Sequence, residues 1–113
     1  MDAGAIGALQ QAAEAVAVDE QVLDYVVRLV RASRNHPALL RGAGTRACIA
    51  LVNCARAHAL LRGERFVVPD DVKVMALPVM RHRVTLSASA EIDGLDADRV
   101  LAGIITTVDA PRT

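Results

Sequence analysis

The chain has 113 residues, the size of one domain, and is too short for a nucleotide-hydrolysing core together with anything else. Its 53% hydrophobic and 23% charged residues are typical of a folded globular protein and exclude a disordered one. Thirteen basic and thirteen acidic side chains give a formal net charge of zero, which argues against attraction of the whole surface to nucleic acid or anionic lipid.

Helical spacing of apolar residues predicts two helices at the start of the chain. The first is expected over about residues 5–16. The second has an N-cap at Asp19 and runs to about Arg34. Residues 35–44 are predicted to form a loop, because Pro37 disfavours helix at the residue before it.

A third helix is predicted from Thr45 to Arg62, with Gly63 just beyond its end. Its middle is apolar almost all round, which indicates a central and largely buried helix. Cys48 and Cys54 lie on it. Helix geometry points them about 120° apart, which is unsuitable for a disulfide. We expect both to be small buried hydrophobic residues of a reducing compartment.

Sequence patterns in the last third of the chain predict two more helices and a strand. A fourth helix begins at Pro69, bends at Pro78 and ends at residues 81–83. Alternation of apolar and polar residues over 84–92 predicts a strand or extended arm. Asp96 is expected to cap a final helix. The predicted fold class is therefore all-α, a small bundle of about five helices with a minor β element.

Targeting signals are not evident in the sequence. No run approaches about 18 consecutive apolar residues, so we expect no membrane span. The N-terminus has no basic region followed by an apolar stretch, so we expect no signal peptide. The cytoplasm is the expected location.

No self-contained active site is evident. Residues 16–20, VAVDE, imitate the acidic strand end that holds magnesium in P-loop ATPases, but no Gly-rich phosphate loop precedes them. They are better explained as a helix end and an N-cap. The three histidines and two cysteines show no metal-ligand spacing, and no serine lies in a nucleophile elbow. The acidic pairs 19–20 and 70–71 are explained by capping and the helix dipole.

Residues 42–47, GAGTRA, are the most informative segment, because they place Arg46 in the first turn of the third helix. The helix dipole disfavours a cation at this position by about 0.3 kcal/mol or more. An anion bound at that end would make both the dipole and the arginine favourable. Arg46 is thus either a solvated side chain at a helix start or an anion ligand.

Five segments together carry a family resemblance. They are Ser33–Pro37, Gly42–Ala47, Ala55–Ala57, Gly63–Val72 and Met80–Arg83. They correspond, in order, to the Thr-Arg-x-His-Pro, Gly-Ala-Ser-Pro-Arg-Ala, Ala-Arg-Ala, Gly-Arg-x-x-Val-x-Pro-x-Asp-Val and Leu-x-His-Arg patterns of one family. The departures include Ser33 in place of Thr, Glu64 in place of the Arg, which follows one residue later, and Met80 in place of Leu. The chain therefore resembles, over nearly its whole length, the C-terminal helical lid of MoxR-family AAA+ ATPases.

This resemblance implies that residues 1–113 are the lid alone, without the ATPase core that binds ATP and Mg. It also implies that Arg46 is the sensor 2 arginine, which contacts the nucleotide phosphates. Arg46 would then be both a catalytic and a nucleotide-binding residue, but only in the assembled ATPase. Gly44 and Thr45 replace the family's Ser and Pro, which alters the helix cap and leaves the arginine in place.

The implied function is closure of the lid over ATP during chaperone-like remodelling. The isolated chain would hydrolyse no ATP, whereas the full-length parent would be an ATPase. The implied partners are the lid's own core, neighbouring subunits of a ring and a von Willebrand factor A-domain protein. Neither nucleic acid nor a membrane is an expected partner. The client, the ring size, and whether Arg46 acts in its own subunit or a neighbour's remain open.

Two alternatives remain beside the lid. The pattern Val68–Val72, which follows a long helix and a short extended piece, is also typical of histone-fold DNA-binding modules. The neutral charge argues against that reading, because phosphate contacts need an excess of basic residues. The second alternative is a free-standing helical adaptor.

Overall fold

A computed structural model describes residues 3–111 of the chain. Within that range the protein is all-α with one two-stranded sheet, which confirms the predicted fold class. The helices are α1 (Ala3–Glu14), α2 (Glu20–Arg34), α3 (Thr45–Leu61), α4 (Pro69–Met80), α5 (Ala88–Ile92) and α6 (Ala97–Thr107), and the strands are β1 (Leu39–Arg41) and β2 (Thr85–Leu86). Among the described helices, none has the length and hydrophobicity needed to cross a bilayer.

Local capping signals predicted the helix boundaries well. The Asp19 side chain accepts a hydrogen bond from the Val22 N–H at 2.9 Å, and α2 ends at Arg34 as expected. Asp96 caps α6 in the same way. Gly63 follows α3 with a φ of 85°, in the left-handed region that a C-terminal glycine provides. The first helix begins and ends two residues earlier than predicted.

The VAVDE segment is a helix end and an N-cap, as its context predicted. Ala17 forms an isolated parallel bridge with Phe66, in the extended piece before α4. Its N–H donates to the Arg65 carbonyl, and its own carbonyl accepts from the Val67 N–H, both at 2.9 Å. Since its backbone is committed to this bridge, the segment is a structural connection between α1 and α2.

The strand predicted over residues 84–92 is wrong beyond its first residues. Only β2 is extended, and it pairs antiparallel with β1, which lies inside the predicted loop 35–44. The Ser87 side chain then accepts a hydrogen bond from the Ala90 N–H at 3.2 Å and starts α5. The alternation of serine and alanine matches the pattern of a strand. The same residues also suit a short helix, because serine is a good N-cap and alanine favours helix.

The third helix buries one face rather than most of its surface. Its buried residues recur every fourth position: Ala47, Leu51, Ala55 and Ala59. Ile49, on another face, is 58% exposed, so complete burial is limited to one face and much of the rest of the helix is half-buried. Alanine at three of the four buried positions lets neighbouring helices approach α3 closely.

The two cysteines are free thiols, as predicted. Both are half-buried instead of fully buried. Cys48 lies next to α2, and burial raises the pKa of its thiol, while the nearby guanidinium of Arg34 partly opposes that rise. The two thiols therefore differ in surroundings although they lie on one helix.

A buried carboxylate joins the end of α3 to the start of α4. The Asp71 side chain is 1% exposed. Its Oδ2 accepts hydrogen bonds from Arg62 Nη2 and from the Val68 N–H, both at 2.9 Å. Its Oδ1 lies 3.1 Å from Arg62 Nε and 2.7 Å from His58 Nδ1. The arginine is bidentate, which fixes the orientation of the two helices as well as their separation.

These bonds keep Asp71 ionised despite its burial. Burial alone would raise the pKa of its carboxyl. The hydrogen bonds from Arg62, the Val68 N–H and His58 outweigh that effect and hold the pKa below its ordinary value. Because the folded pKa is lower than the unfolded one, the ionised network stabilises the fold above the unfolded pKa. That contribution is lost as the pH falls through the folded pKa.

We expect Asp71→Asn to lower the free energy of unfolding at neutral pH by about 1.5–3 kcal/mol, the usual contribution of hydrogen bonds to a charged group. Urea titrations from neutral pH down to below about pH 3.9, the ordinary pKa of aspartate, test this. The wild-type stability should fall over that range, and the fall should be smaller in the variant. Asp70→Asn, at an exposed neighbouring carboxylate, is the control and should change little. Equal effects of the two substitutions would contradict the assignment.

Candidate functional site

Arg46 is the second residue of α3, and it is exposed. The N-cap residue, Gly44, has an extended backbone and offers no side-chain acceptor to the first turn. The Ala47 N–H donates to the Gly44 carbonyl at 2.9 Å. The N-terminus of this 17-residue helix therefore presents backbone donors and one guanidinium to the outside.

Further positive charge lies close to this helix start. Arg31 and Arg34, in the last turn of α2, are close enough to Cys48 to lower its pKa against the larger effect of burial. Cys48 is two residues after Arg46, and both lie in the first turn of α3. Both α2 arginines are exposed. Arg31 and Arg34 thus add positive charge near the first turn of α3 in a molecule whose net charge is zero.

Ser33 fixes the loop that precedes α3. Its side chain is completely buried and donates a hydrogen bond from Oγ to the Val30 carbonyl at 2.6 Å. The same oxygen accepts from the Ala43 N–H at 3.0 Å. A buried hydroxyl with both roles satisfied ties the last turn of α2 to a point three residues before Arg46.

Gly42 allows the close approach that this hydrogen bond needs. A Cβ at position 42 would lie 2.5 Å from both the Cα and the N of Arg34, which are backbone atoms. A Cβ at Gly44 would meet nothing within 4 Å. Gly42 is therefore needed for close packing, which the sequence analysis did not predict. The available signal was Ser33 itself, a polar residue on the buried stripe of α2.

Two of the three histidines have structural hydrogen bonds, one to the backbone and one to Asp71. His36 Nδ1 accepts a hydrogen bond from the Ala38 N–H at 3.1 Å, and its carbonyl accepts from the Leu39 N–H. His58 contacts Asp71, and His82 is exposed. Between residues 3 and 111, no three histidine, cysteine or acidic side chains come together in a way that could hold a metal ion. The acidic pair 70–71 was explained from sequence by capping and the helix dipole, and Asp71 also forms an ion pair with Arg62.

Comparison with known proteins identifies relatives of this fold. Residues 31–104 match the family model described as the AAA lid domain. The chain is 33% identical to the uncharacterised protein YeaC of Bacillus subtilis, over 91% of this chain and 32% of that protein. It is 34% identical to chaperone MoxR1 of Mycobacterium tuberculosis, over 92% of this chain and 30% of that protein.

A solved structure has the same arrangement of helices. The crystal structure of a proposed ATPase from Cytophaga hutchinsonii matches with a TM-score of 0.85 and 28% identity, covering 90% of this chain and 34% of that one. The chain thus spans about a third of the length of these relatives. These similarities confirm the resemblance inferred from the motifs and favour the lid over the histone-fold alternative.

The packing of Gly42 gives a test of the loop geometry. We expect Gly42→Ala to lower the free energy of unfolding by about 1–3 kcal/mol, because the added methyl group overpacks against backbone atoms that cannot rotate away. The matched control is Gly44→Ala, where the methyl group meets open space. Urea denaturation of the two variants measures the difference. If both substitutions change stability equally, the close approach to α2 is wrong.

Proposed function

Because this chain belongs to the AAA lid domain family, we propose that it closes over ATP bound on an ATPase core and presents Arg46 to the phosphates. The observation that carries the proposal is the placement of Arg46, exposed, in the first turn of α3, which has no side-chain cap. In the MoxR-type pattern that this sequence resembles, the sensor 2 arginine occupies the same position. The exposed guanidinium is available to a ligand outside the lid.

Electrostatics supports phosphate as that ligand. The helix N-terminus alone disfavours the arginine, whereas an anion between them interacts favourably with both. A phosphate group also matches the planar fork of guanidinium donors, which binds two oxygens at once. The hydrogen bond to Ser33 and the close packing of Gly42 fix the loop before α3, so the backbone of Arg46 has a fixed position. In phosphoryl transfer such a charge stabilises the negative charge spread over the transferred group.

The remaining parts of the reaction belong to the proposed core. The chain has a single lysine, Lys73, and no Gly-rich phosphate loop. We assign ATP binding and Mg to the core and only Arg46 to the lid. When bound to the core, Mg would supply neutralisation of phosphate charge, and no residue of this chain is assigned to hold it. The 113-residue chain by itself is therefore expected to hydrolyse no ATP.

The wider role follows from the relatives. MoxR1 is named a chaperone, which supports chaperone-like remodelling as the work of the parent ATPase. We propose that the lid contacts its own core and neighbouring subunits in a ring. A von Willebrand factor A-domain protein and a cytoplasmic location complete the proposal by resemblance to the MoxR type.

Arg46→Ala in the full-length ATPase tests the proposal. We expect turnover to fall at least tenfold, roughly 1.4 kcal/mol of transition-state stabilisation. The exposed side chain contributes little to folding, so the free energy of unfolding of the lid should change by less than about 0.5 kcal/mol. Steady-state ATP hydrolysis and a urea melt provide the two measurements.

Arg99→Ala is the matched control for this experiment. Arg99 is also an exposed arginine in the first turn of a helix, α6, and its N–H is capped by Asp96. Its removal should leave turnover within about twofold of the parent, or roughly 0.4 kcal/mol. Hydrolysis by Arg46→Ala at the parental rate would make Arg46 an ordinary solvated helix residue and refute the sensor role.

A further inference from the structure

An apolar groove lies between α2 and α3, on the outside of the bundle. Its walls are Leu23, Val26 and Val27 from α2 and Cys48, Ile49 and Val52 from α3, and its volume is about 440 Å³. Leu23 is 40% exposed and Ile49 is 58% exposed. The other wall residues are buried or half-buried, so Leu23 and Ile49 form the exposed rim of a concave apolar surface, here called the α2–α3 groove. A concave apolar surface of this kind is typically covered by another protein.

The groove ends in two polar residues, and one of them has an enclosed donor without an acceptor. Asn53 and Arg56 line its far end, one and two turns beyond Ile49. The Arg56 Nε is enclosed, yet no atom in the described part of the chain accepts its hydrogen bond. An enclosed guanidinium N–H without an acceptor is unfavourable, and an oxygen from a bound partner would satisfy it. The matching surface is therefore apolar with a carboxylate or carbonyl oxygen at one end.

The groove is continuous with the proposed phosphate contact. Arg46, Ile49, Asn53 and Arg56 follow one another at steps of three and four residues, so they share one flank of α3. Ile49 is displaced from Arg46 by only about 4.5 Å along the helix and about 60° around it. A core that brings ATP to Arg46 must also come within reach of this flank.

We propose that the α2–α3 groove is the surface on which the nucleotide-loaded ATPase core docks, a proposal that rests on the function proposed above. An apolar segment of the core fills the groove, and an oxygen of the core accepts the Arg56 Nε–H. The relatives carry about two thirds of their length outside the part that this chain matches, which is where such a segment would come from. The groove thereby couples lid closure to nucleotide binding.

The charges argue against a second copy of this chain as the occupant. Two grooves facing each other about a two-fold axis would bring Arg46 and Arg56 of both copies to one interface. Arg31 and Arg34, near Cys48, would add to the repulsion. Like charges brought together in this way disfavour an interface. A core with a complementary oxygen meets no such penalty.

The two native cysteines provide the test. Cys48 lines the groove, whereas Cys54, also half-buried and on the same helix, does not. Iodoacetamide labelling followed by mass spectrometry measures the alkylation rate of each thiol. The rates are compared in the 113-residue chain, in the assembled ATPase without nucleotide, and in the assembled ATPase with adenylyl imidodiphosphate. We expect Cys48 to react at least about tenfold more slowly in the assembled ATPase with the nucleotide analogue than in the 113-residue chain. The alkylation rate of Cys54 should differ less than about twofold between these states.

A pair of variants links the protection to the groove itself. Ile49→Asp places a charge in the groove and should abolish the protection of Cys48 and lower ATP turnover. Ile92→Asp is the control, because Ile92 on α5 is 84% exposed and lies outside the groove. It should leave both measurements unchanged. A melt of each variant chain verifies that the lid still folds.

Each other outcome overturns the proposal in a recognisable way. Equal reactivity of Cys48 in all three states removes the groove from the core interface. Protection that rises with the concentration of the isolated chain assigns the groove to self-association, and protection that requires an added client assigns it to the client. Arg46→Ala separates the two proposals, because it should lower turnover while Cys48 stays protected. If that variant hydrolyses normally, the sensor role fails and the labelling still decides the docking surface.

Discussion

The contact between the loop at residues 42–43 and the last turn of α2 determines where α3 begins, and with it where Arg46 lies. Gly42 packs against the Arg34 backbone at a distance that leaves no room for a side chain, and the buried Ser33 hydroxyl holds the Ala43 N–H beside it. Three residues later the chain reaches Arg46. The helix itself adds no side-chain cap at this end. The direction in which α3 starts is therefore set by a neighbouring helix, and the arginine inherits its position from that packing.

The opposite end of α3 is anchored just as firmly. The buried carboxylate of Asp71 receives Arg62 in a bidentate pair and draws the start of α4 against it. Between these anchors, alanines at most of the buried positions keep the neighbouring helices close. A helix held at both ends moves as a rigid body, so Arg46 and the flank that carries Ile49 and Arg56 keep a constant relation to one another. The proposed phosphate contact and the proposed docking groove therefore lie on one rigid surface.

Sequence reasoning located the features with local causes and missed those that depend on contacts across the chain. Asp19 and Asp96 cap helices through bonds to residues three positions away, and such signals are visible in sequence. The prediction of a strand over the α5 region was wrong, because alternating apolar and polar residues suit a strand as well as a short helix. The hydrogen bond to the Ser87 side chain decides for the helix. The role of Asp71 could not be distinguished from that of Asp70, since the distinction depends on Arg62 arriving from another helix. Arg46 was singled out first by its place at a helix start and then by the family resemblance, and it is exposed in the first turn of α3, while its role stays a proposal.

The packing of Gly42 on Arg34 also closes residues 35–41 into a loop whose two ends touch. In such an Ω-type arrangement, the chain leaves α2 and returns to nearly the same point before it enters α3. Extra residues inserted between Asn35 and Pro37 would therefore enlarge the excursion without changing the spacing of the helices. The entropic cost of a longer closed loop grows slowly, by about 0.6 kcal/mol for each doubling of its length. This is a site at which the lid can acquire additional segments, even whole recognition elements, while the arginine at the start of α3 stays where it is.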